Sequence, residues 1–454
     1  MSVPAPARLA AWRALVRLRA ERDKLDDSQA ALPEFDGLED RDRRLATELV
    51  TGTVKRRLSL DAVLSSFSAV PLARVEADVH EALRLSAFQL LFLDRVPAHA
   101  AVDDGVALVA AQGRRTRGYV NAVLRVLSRE GRERLAEAGA GDDLRSRAVR
   151  WSCPEWMVAL LTADLGRGAA DALLATSNEA PERCLRVNRL RGGLDAARDA
   201  LAEVGITGEG VIGLPEALVY DGPPLETSAP FALGLVTPQS RGSQLAGLVA
   251  AGGGMAAGAL LDLCAAPGTK TSQLAAAHPT GRVVAVEVDG RRAAALRANL
   301  ERLGASAVEV LEADATRLPG AFEAAFDAVL VDAPCSGLGT LASRPDLRWR
   351  RRLADVGRLA DDQRRLLAAG ARCVRPGGLL TYAVCTVTVA ETDAVVRGLV
   401  ATGKWSLDDL GAEYPGAAHP ANGAYLLALP PAWGSTGFFV ARLRREPARR
   451  GTAR

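Results

Sequence analysis

Several residue types and sequence patterns are rare or absent in this chain of 454 residues. No apolar run approaches the roughly 20 residues that a membrane-spanning helix needs, which argues against an integral membrane protein. The N-terminus lacks the basic-then-apolar order of a signal peptide, so we expect a cytoplasmic protein. The six cysteines form no Cys-x-x-Cys pair and the four histidines are scattered, so there is no zinc signature. We therefore expect reduced thiols, no bound metal and no membrane partner.

Lysine is also scarce, with four residues among the 57 basic ones, and the net charge is only +3. This balance excludes a polycation that binds nucleic acid through overall charge alone. The arginines are clustered, however, and two clusters stand out at 113–117 and 344–352. The second cluster contains Trp349, and an aromatic ring among arginines favours contact with nucleic acid through stacking and phosphate pairing.

Changes in hydrophobic periodicity divide the chain and predict a multidomain protein. Residues 1–138 have apolar residues at helical spacing and no strand-like alternation, which predicts an all-α domain. Residues 144–249 contain a strand–helix–strand order, which predicts a small α/β subdomain. Strands and helices alternate in residues 250–446, which predicts an α/β, Rossmann-like domain with a parallel sheet between helices. Residues 447–454 are a basic tail.

The first strand of the alternating region ends at Asp262 and leads into a turn with a single glycine. The residues of this turn are Cys264, Ala265, Ala266, Pro267, Gly268, Thr269 and Lys270. A dinucleotide site requires G-x-G-x-x-G and a phosphate loop requires G-x-x-x-x-G-K-[ST], and neither pattern is present. A glycine turn before a helix N-terminus still lets a ligand approach the backbone closely. The turn therefore suits a ligand without a pyrophosphate, such as S-adenosylmethionine.

Acidic residues lie at the ends of the next three strands. Glu287 follows the second strand, where an acid can accept hydrogen bonds from both ribose hydroxyls. Asp314 follows the third strand and could reach an adenine amino group, and the fourth strand ends at Asp332. A single acid at such a position is more often a helix cap or a solvated residue. Acids at successive strand ends predict a cofactor site.

Two cysteines, Cys335 and Cys385, follow apolar, strand-like runs. A cysteine thiolate is a strong nucleophile that can add to an electron-poor ring carbon and later leave. Two thiols near an acid and a cofactor turn suggest covalent chemistry on a nucleobase. We interpret Cys264 as contributing only its backbone to the turn. The other cysteines are interpreted as small buried apolar residues: Cys153, Cys184 and Cys373.

These motifs resemble those of the RNA 5-methylcytosine methyltransferases of the NOL1/NOP2/Sun type. The segment 262–271 is similar to the cofactor motif of that family, and 332–340 is similar to its signature. The helical N-terminal region also resembles the RNA-binding domain shared with the transcription antitermination factor NusB. The similar segments there are 42–53, 96–103 and 119–125.

The resemblance implies an S-adenosylmethionine-dependent reaction on cytosine in RNA. Cys385 would attack C6 so that C5 can take the methyl group, and Cys335 would assist the release step. Asp332 would contact the N3 side of the base, and Lys270 would assist near the base or the cofactor. The base must leave its stack to reach such a pocket. Together with the NusB-like domain, the resemblance favours small-subunit ribosomal RNA as the substrate, and we expect a monomer.

The chain departs from the family pattern at several positions, and alternatives stay open. The departures are Thr269, Ala342, Ser343, Val384 and Thr386. Ala342 and Ser343 replace an arginine pair, so we expect Arg344 and Arg348 to contact phosphate instead. The alternatives are a methyltransferase for tRNA or large-subunit ribosomal RNA, and an RNA-binding assembly protein with little catalysis. An NAD-dependent oxidoreductase fails because the glycines are missing.

Overall fold

The computed structural model describes residues 4–21, 33–252 and 258–447. The chain divides into two compact units. The first consists of Met1–Glu179 with Leu341–Arg351, and the second of Ala180–Thr340 with Arg352–Arg454. Apart from residue 447, the predicted basic tail lies outside the described residues.

The helices and strands are numbered along the chain. The helices are α1 (Pro6–Glu21), α2 (Asp40–Phe67), α3 (Ala77–Phe92), α4 (Ala98–Leu108), α5 (Arg114–Ala138), α6 (Leu144–Trp151), α7 (Glu155–Leu165), α8 (Arg167–Thr176), α9 (Leu194–Glu203), α10 (Ala229–Ala232), α11 (Arg241–Ala251), α12 (Thr269–Ala277), α13 (Gly290–Arg302), α14 (Leu347–Arg350), α15 (Leu353–Cys373), α16 (Asp393–Val400) and α17 (Leu410–Glu413). The strands are β1 (Cys184–Val187), β2 (Thr207–Val211), β3 (Leu214–Asp221), β4 (Val236–Pro238), β5 (Ala259–Leu263), β6 (Arg282–Glu287), β7 (Glu309–Glu312), β8 (Phe326–Asp332), β9 (Val374–Val384), β10 (Trp405–Leu407), β11 (Leu426–Ala428) and β12 (Phe438–Arg445).

The first unit is helical, as predicted for residues 1–138. It also includes α6, α7 and α8, which lie in the range 144–249 that was predicted as the α/β subdomain. Helices α2, α3 and α5 supply most of its apolar core, which includes Leu60, Leu83 and Leu124, each fully buried. None of the helices in the described part of the chain is long and apolar enough to cross a membrane.

The segment Leu341–Arg351, which contains α14, is held in the first unit by the buried side chain of Arg348. Nη1 of this arginine donates to the carbonyl of Lys55 at 2.7 Å and to Oδ1 of Asn178 at 2.8 Å. Nη2 donates to the carbonyl of Ser177 at 2.8 Å. The expectation that Arg348 contacts phosphate is therefore wrong, because its side chain is fully buried and both terminal nitrogens donate inside the protein.

Trp349, next along the segment, is also engaged by the first unit. Its indole N–H donates to the carbonyl of Val54 at 2.8 Å, and the guanidinium of Arg57 lies 5.5 Å from its ring centroid. The side chain is half-buried. The arginine-rich segment thus has an architectural role that its composition does not reveal.

Replacing Arg348 by methionine is expected to lower the free energy of unfolding by about 3 kcal/mol, since several buried carbonyl groups lose their donor. Urea unfolding of the full chain measures the change. Arg350→Met is the matched control, because Arg350 is 31% exposed and pairs with Asp346 at the surface. Its loss should cost less than about 1 kcal/mol. Equal losses in the two variants would contradict the assignment.

The second unit begins with a small four-stranded sheet in the order β2-β3-β1-β4. All of its pairings are antiparallel, with Leu185 of β1 opposite Leu218 of β3 and Pro238 of β4. The predicted α/β subdomain is confirmed. Strand β2 contains two glycines, Gly208 and Gly210, and pairing with β3 outweighs their low strand propensity.

The larger sheet has the order β10-β12-β9-β8-β5-β6-β7, with β11 paired to β12. Strands β5 to β9 are parallel, while β10, β11 and β12 add antiparallel pairings that the sequence did not indicate. Leu330 of β8 packs in the cluster that contains Leu245 and Val249 of α11. Its neighbour Val331 faces Gly370 of α15. Successive strand residues point to opposite faces, so helices cover both, as expected for a Rossmann-like fold.

Candidate active site

The predicted functional residues lie mostly at the carboxyl ends of the central parallel strands. Strand order reverses between β5 and β8, which are neighbours although β6 and β7 intervene along the chain. In open parallel sheets, ligands bind in the crevice at such a reversal. The turn after β5, the end of β6, and the loops after β8 and β9 therefore define the candidate site.

The turn after β5 requires its glycine. Gly268 has a φ of +95°, and a Cβ there would come within 2.6 Å of Cδ1 of Leu296 on α13. The N–H of Ala265 donates to the carbonyl of Val286 at 2.9 Å, which fixes the turn to the next strand. Cys264 also has a positive φ, +69°, so its side chain lies in an uncommon backbone geometry. Helix α12 then begins at Thr269.

Asp262 lies buried at the base of this turn. Thr271 Oγ1 donates to its Oδ2 at 2.7 Å, while its Oδ1 has no hydrogen-bond partner. Burial raises the pKa of Asp262 to about 7, and the neighbouring Asp332 adds to the rise. A carboxyl with one unsatisfied oxygen in such a place is a candidate for contact with a ligand.

Glu287 ends β6 and is buried as well. Its Oε1 accepts from the N–H of Asp289 at 3.1 Å, and its Oε2 lies 3.3 Å from the guanidinium of Arg292 without a hydrogen bond. Asp314 is placed differently, since it is half exposed. Its Oδ1 accepts from the hydroxyl of Thr316 at 2.7 Å and from the N–H of the same residue at 2.9 Å, and these two bonds lower the pKa of Asp314.

Lys270 and Asp332 form an ion pair between the start of α12 and the end of β8. Lys270 Nζ lies 2.6 Å from Asp332 Oδ2, and it also lies 5.3 Å from the ring centroid of Phe438 on β12. The lysine side chain is 10% exposed and the aspartate side chain 29%. The carboxylate therefore remains accessible while the ammonium group supports it from inside.

The two cysteines predicted to be functional, Cys335 and Cys385, are in contact through their sulfur atoms. The sulfur atoms of Cys335 and Cys385 are 3.2 Å apart, although fifty positions separate them in the chain. Strands β8 and β9 are parallel neighbours, with Asp332 opposite Ala383, so the loops that follow them emerge side by side. The N–H of Gly339 also donates to the carbonyl of Cys385 at 3.2 Å.

The contact between the sulfurs also affects ionisation. The hydrogen bond to Cys385 and burial of the side chain raise the pKa of Cys335 well above its ordinary value. The cysteines interpreted as apolar residues are buried, and burial raises the pKa of Cys184 to about 12 and that of Cys373 to about 11.

Sequence reasoning missed two buried charged residues near the site. Arg186 on β1 donates from Nη2 to Oγ of Ser272 at 2.7 Å and to the carbonyl of Thr269 at 3.3 Å, which anchors the start of α12 to the small sheet. Glu391 lies behind the thiols and is fully buried. Arg186 is a single charge in an apolar run, which was its only available signal in the sequence, whereas Glu391 stands among threonines near Asp393 and had none. In the described ranges, no three His, Cys, Asp or Glu residues are grouped so that they could hold a metal.

Three family profiles match the chain. The profile described as 16S rRNA methyltransferase RsmB/F matches residues 256–444. The NusB family matches residues 5–129, and an RsmF/B-like ferredoxin-like domain matches 153–225. The all-α, small α/β and Rossmann-like parts of the predicted fold each correspond to one of these profiles.

Similar proteins extend over nearly the whole chain. The ribosomal RNA small subunit methyltransferase B of Sodalis glossinidius is 34% identical over 95% of this chain and 97% of its own length. A probable methyltransferase of the same name from Synechocystis is 33% identical over 89% of this chain and 91% of its own length.

Two solved structures have folds similar to that of this chain. The crystal structure of PH0851 superimposes with a TM-score of 0.80 at 26% identity and covers 98% of this chain and 100% of that one. A methyltransferase homologue from Pyrococcus horikoshii superimposes with a TM-score of 0.58 at 24% identity, covering 67% of this chain and 99% of that one.

Proposed function

Because the chain belongs to the 16S rRNA methyltransferase RsmB/F family, we propose that it methylates carbon 5 of a cytosine in small-subunit ribosomal RNA. One observation carries the choice of chemistry: two sulfur atoms lie 3.2 Å apart beside the Lys270–Asp332 ion pair. A nucleophile, a second thiol and an acid–base pair are the groups that a covalent route through C6 requires.

Each residue has a distinct part in the proposed reaction. The sulfur of Cys385 forms a bond to C6, and the electrons of the C5–C6 double bond become available at C5. Asp332, held in place by the ammonium group of Lys270, shares a proton with N3, and this proton neutralises the electron density that moves there. After C5 has taken the methyl group, Cys335 assists the final step: it gives its proton to the leaving sulfur of Cys385 and receives the proton that C5 loses, while the C5–C6 double bond forms again.

The residues present fit S-adenosylmethionine as the methyl donor. Glu287 ends β6 with a buried oxygen that has no hydrogen-bond partner, which suits an acceptor for ribose hydroxyls. Gly268 supplies the positive φ that the turn requires before α12, and Asp314 would contact the adenine amino group. When bound there, S-adenosylmethionine supplies the methyl group. The other turn residues that we assign to this site are Cys264, Ala265, Ala266, Pro267, Thr269 and Lys270.

Bisulfite sequencing of small-subunit ribosomal RNA, from cells with and without the gene, tests this function. We expect one cytosine to be protected from conversion only when the gene is present. Restoring the gene should restore the protection, and restoring it with Cys385→Ala should not. An unchanged pattern would remove the small-subunit assignment, and tRNA and large-subunit RNA would then be screened in the same way.

A further inference from the structure

Behind the two thiols, a carboxylate without any role in the reaction above is buried in the protein. Glu391 ends the short turn Val389–Glu391, which follows β9, and none of its surface is exposed to solvent. No basic side chain in the described part of the chain forms an ion pair with it. Burying a carboxylate without a cation is costly unless hydrogen bonds satisfy its oxygens.

Five hydrogen bonds satisfy the Glu391 carboxylate. Its Oε1 accepts from the N–H of Ser336 at 2.7 Å and from Nε2 of Gln363 at 3.0 Å. Its Oε2 accepts from three hydroxyl groups: Oγ of Ser336 at 2.5 Å, Oγ1 of Thr388 at 2.9 Å and Oγ1 of Thr386 at 3.2 Å. All the donors converge on one group, so the loops that carry them cannot move independently.

These donors sit directly beside the cysteines in the chain. Ser336 follows Cys335, and Thr386 follows Cys385. The hydroxyl of Thr386 also lies 2.8 Å from that of Ser336, so its one proton is shared between the oxygen of Ser336 and the carboxylate, and either arrangement links the two loops. Thr386, one of the departures from the family pattern, therefore still brings a hydroxyl to this network.

Further bonds attach the network to the scaffold. Gln363 of α15 also donates to the carbonyl of Pro334, the residue before Cys335, at 2.9 Å. The hydroxyl of Tyr382, on β9, donates to the backbone carbonyl of Glu391 at 2.7 Å. The carboxylate is thus fixed to a helix and a strand rather than to loops alone. Its negative charge also adds to the effects that raise the pKa of Cys335.

We propose that Glu391 is a positioning residue that holds the sulfurs of Cys335 and Cys385 in contact, so that attack by one thiol and release by the other act on the same bound base. This inference rests on the proposed function only in saying why contact between the two sulfurs matters for catalysis. The positioning itself is a property of the protein without RNA or methyl donor.

Two substitutions of Glu391 distinguish the effect of its hydrogen bonds from the effect of its charge. Glu391→Gln keeps an oxygen for the N–H of Ser336 and for Gln363, while its amide N–H groups face three hydroxyl oxygens that can accept. Glu391→Ala removes the acceptor that all these donors share, and with it the link between the two loops. Leu443→Ala is the control for general destabilisation, because Leu443 is fully buried in β12 and pairs with Leu380 on β9, away from the strand end that carries the thiols.

The first measurement is the equilibrium of the purified full-length protein with glutathione and glutathione disulfide. In this exchange the two thiols of the protein form one disulfide, while one glutathione disulfide is reduced to two glutathione molecules. The equilibrium constant reports the effective concentration of one thiol at the other, and mass spectrometry of the alkylated peptides measures it. Glu391→Ala should lower it about tenfold or more, while Glu391→Gln should stay within about threefold of the natural protein.

The second measurement is methyl transfer to RNA. Glu391→Ala is expected to lower kcat with little change in KM for RNA, and Glu391→Gln to retain more of the activity. An unchanged thiol equilibrium in Glu391→Ala, or an equal change in Leu443→Ala, would overturn the proposal whatever the activity. A lowered equilibrium in a protein that methylates no cytosine would support the positioning and overturn the proposed function instead.

Discussion

Replacing Cys385 by alanine is expected to abolish methyl transfer and to leave no covalent complex with RNA. Replacing Cys335 by alanine is expected to let that complex accumulate. The reason is the order of the two thiols: the bond to C6 forms through Cys385, and its release needs the second thiol, whose sulfur lies 3.2 Å away. A denaturing gel with labelled small-subunit RNA and S-adenosylmethionine separates the complex from free RNA.

Cys373→Ala is the control for this pair, because Cys373 is buried at the end of α15 and lies outside the proposed machinery. It should methylate RNA at the natural rate and show no lasting complex. If Cys335→Ala and Cys385→Ala behave alike on the gel, the division of roles between the thiols is wrong.

Asp332→Asn is expected to reduce kcat by about 10²- to 10⁴-fold, the range in which a positioned acid–base group contributes. The substitution removes the charge that faces the base and leaves the 10% exposed ammonium group of Lys270 without its counter-ion. Initial rates of methyl transfer measure the effect. Calorimetric binding of S-adenosylmethionine tests whether the cofactor turn still functions.

A matched control exists on the same strand. Asp327 lies near the amino end of β8, where its Oδ2 accepts from the N–H of Ala259 at 2.7 Å. Asp327→Asn should cost stability but leave kcat within about threefold, since it is at the edge of the sheet opposite the ligand crevice. A similar loss of kcat in both variants would mean that Asp332 supports the fold and does not act on the bound base.

The grouping of the strand-end residues could be predicted because parallel strands place their carboxyl ends, and the residues that follow them, at one edge of the sheet. Once β8 and β9 were predicted as parallel strands, a cysteine after each had to appear at the same edge of the sheet. The same reasoning brought the turn at Gly268 and the acid at Glu287 to neighbouring strand ends. The distances and hydrogen bonds at this edge come only from the folded chain.

Burial of charge was not predictable in the same way. Arg348 stands in an arginine-rich run that is typical of a solvated surface, and its acceptors come from Lys55 and Ser177, far away in the chain. Glu391 likewise gains its donors from Ser336 and Gln363, which no local pattern connects to it. A buried ion is stable only through partners that the fold supplies.

The segment Leu341–Arg351 bears on how the molecule can be divided in the laboratory. The chain passes between the two units after Glu179, again after Thr340, and a third time after Arg351. A fragment that starts at Ala180 would therefore still contain α14, but without the carbonyl groups that receive the guanidinium of Arg348. Cutting the gene at one site cannot yield two self-sufficient halves, so any minimal methyltransferase built from this chain must redesign or excise that insertion as well.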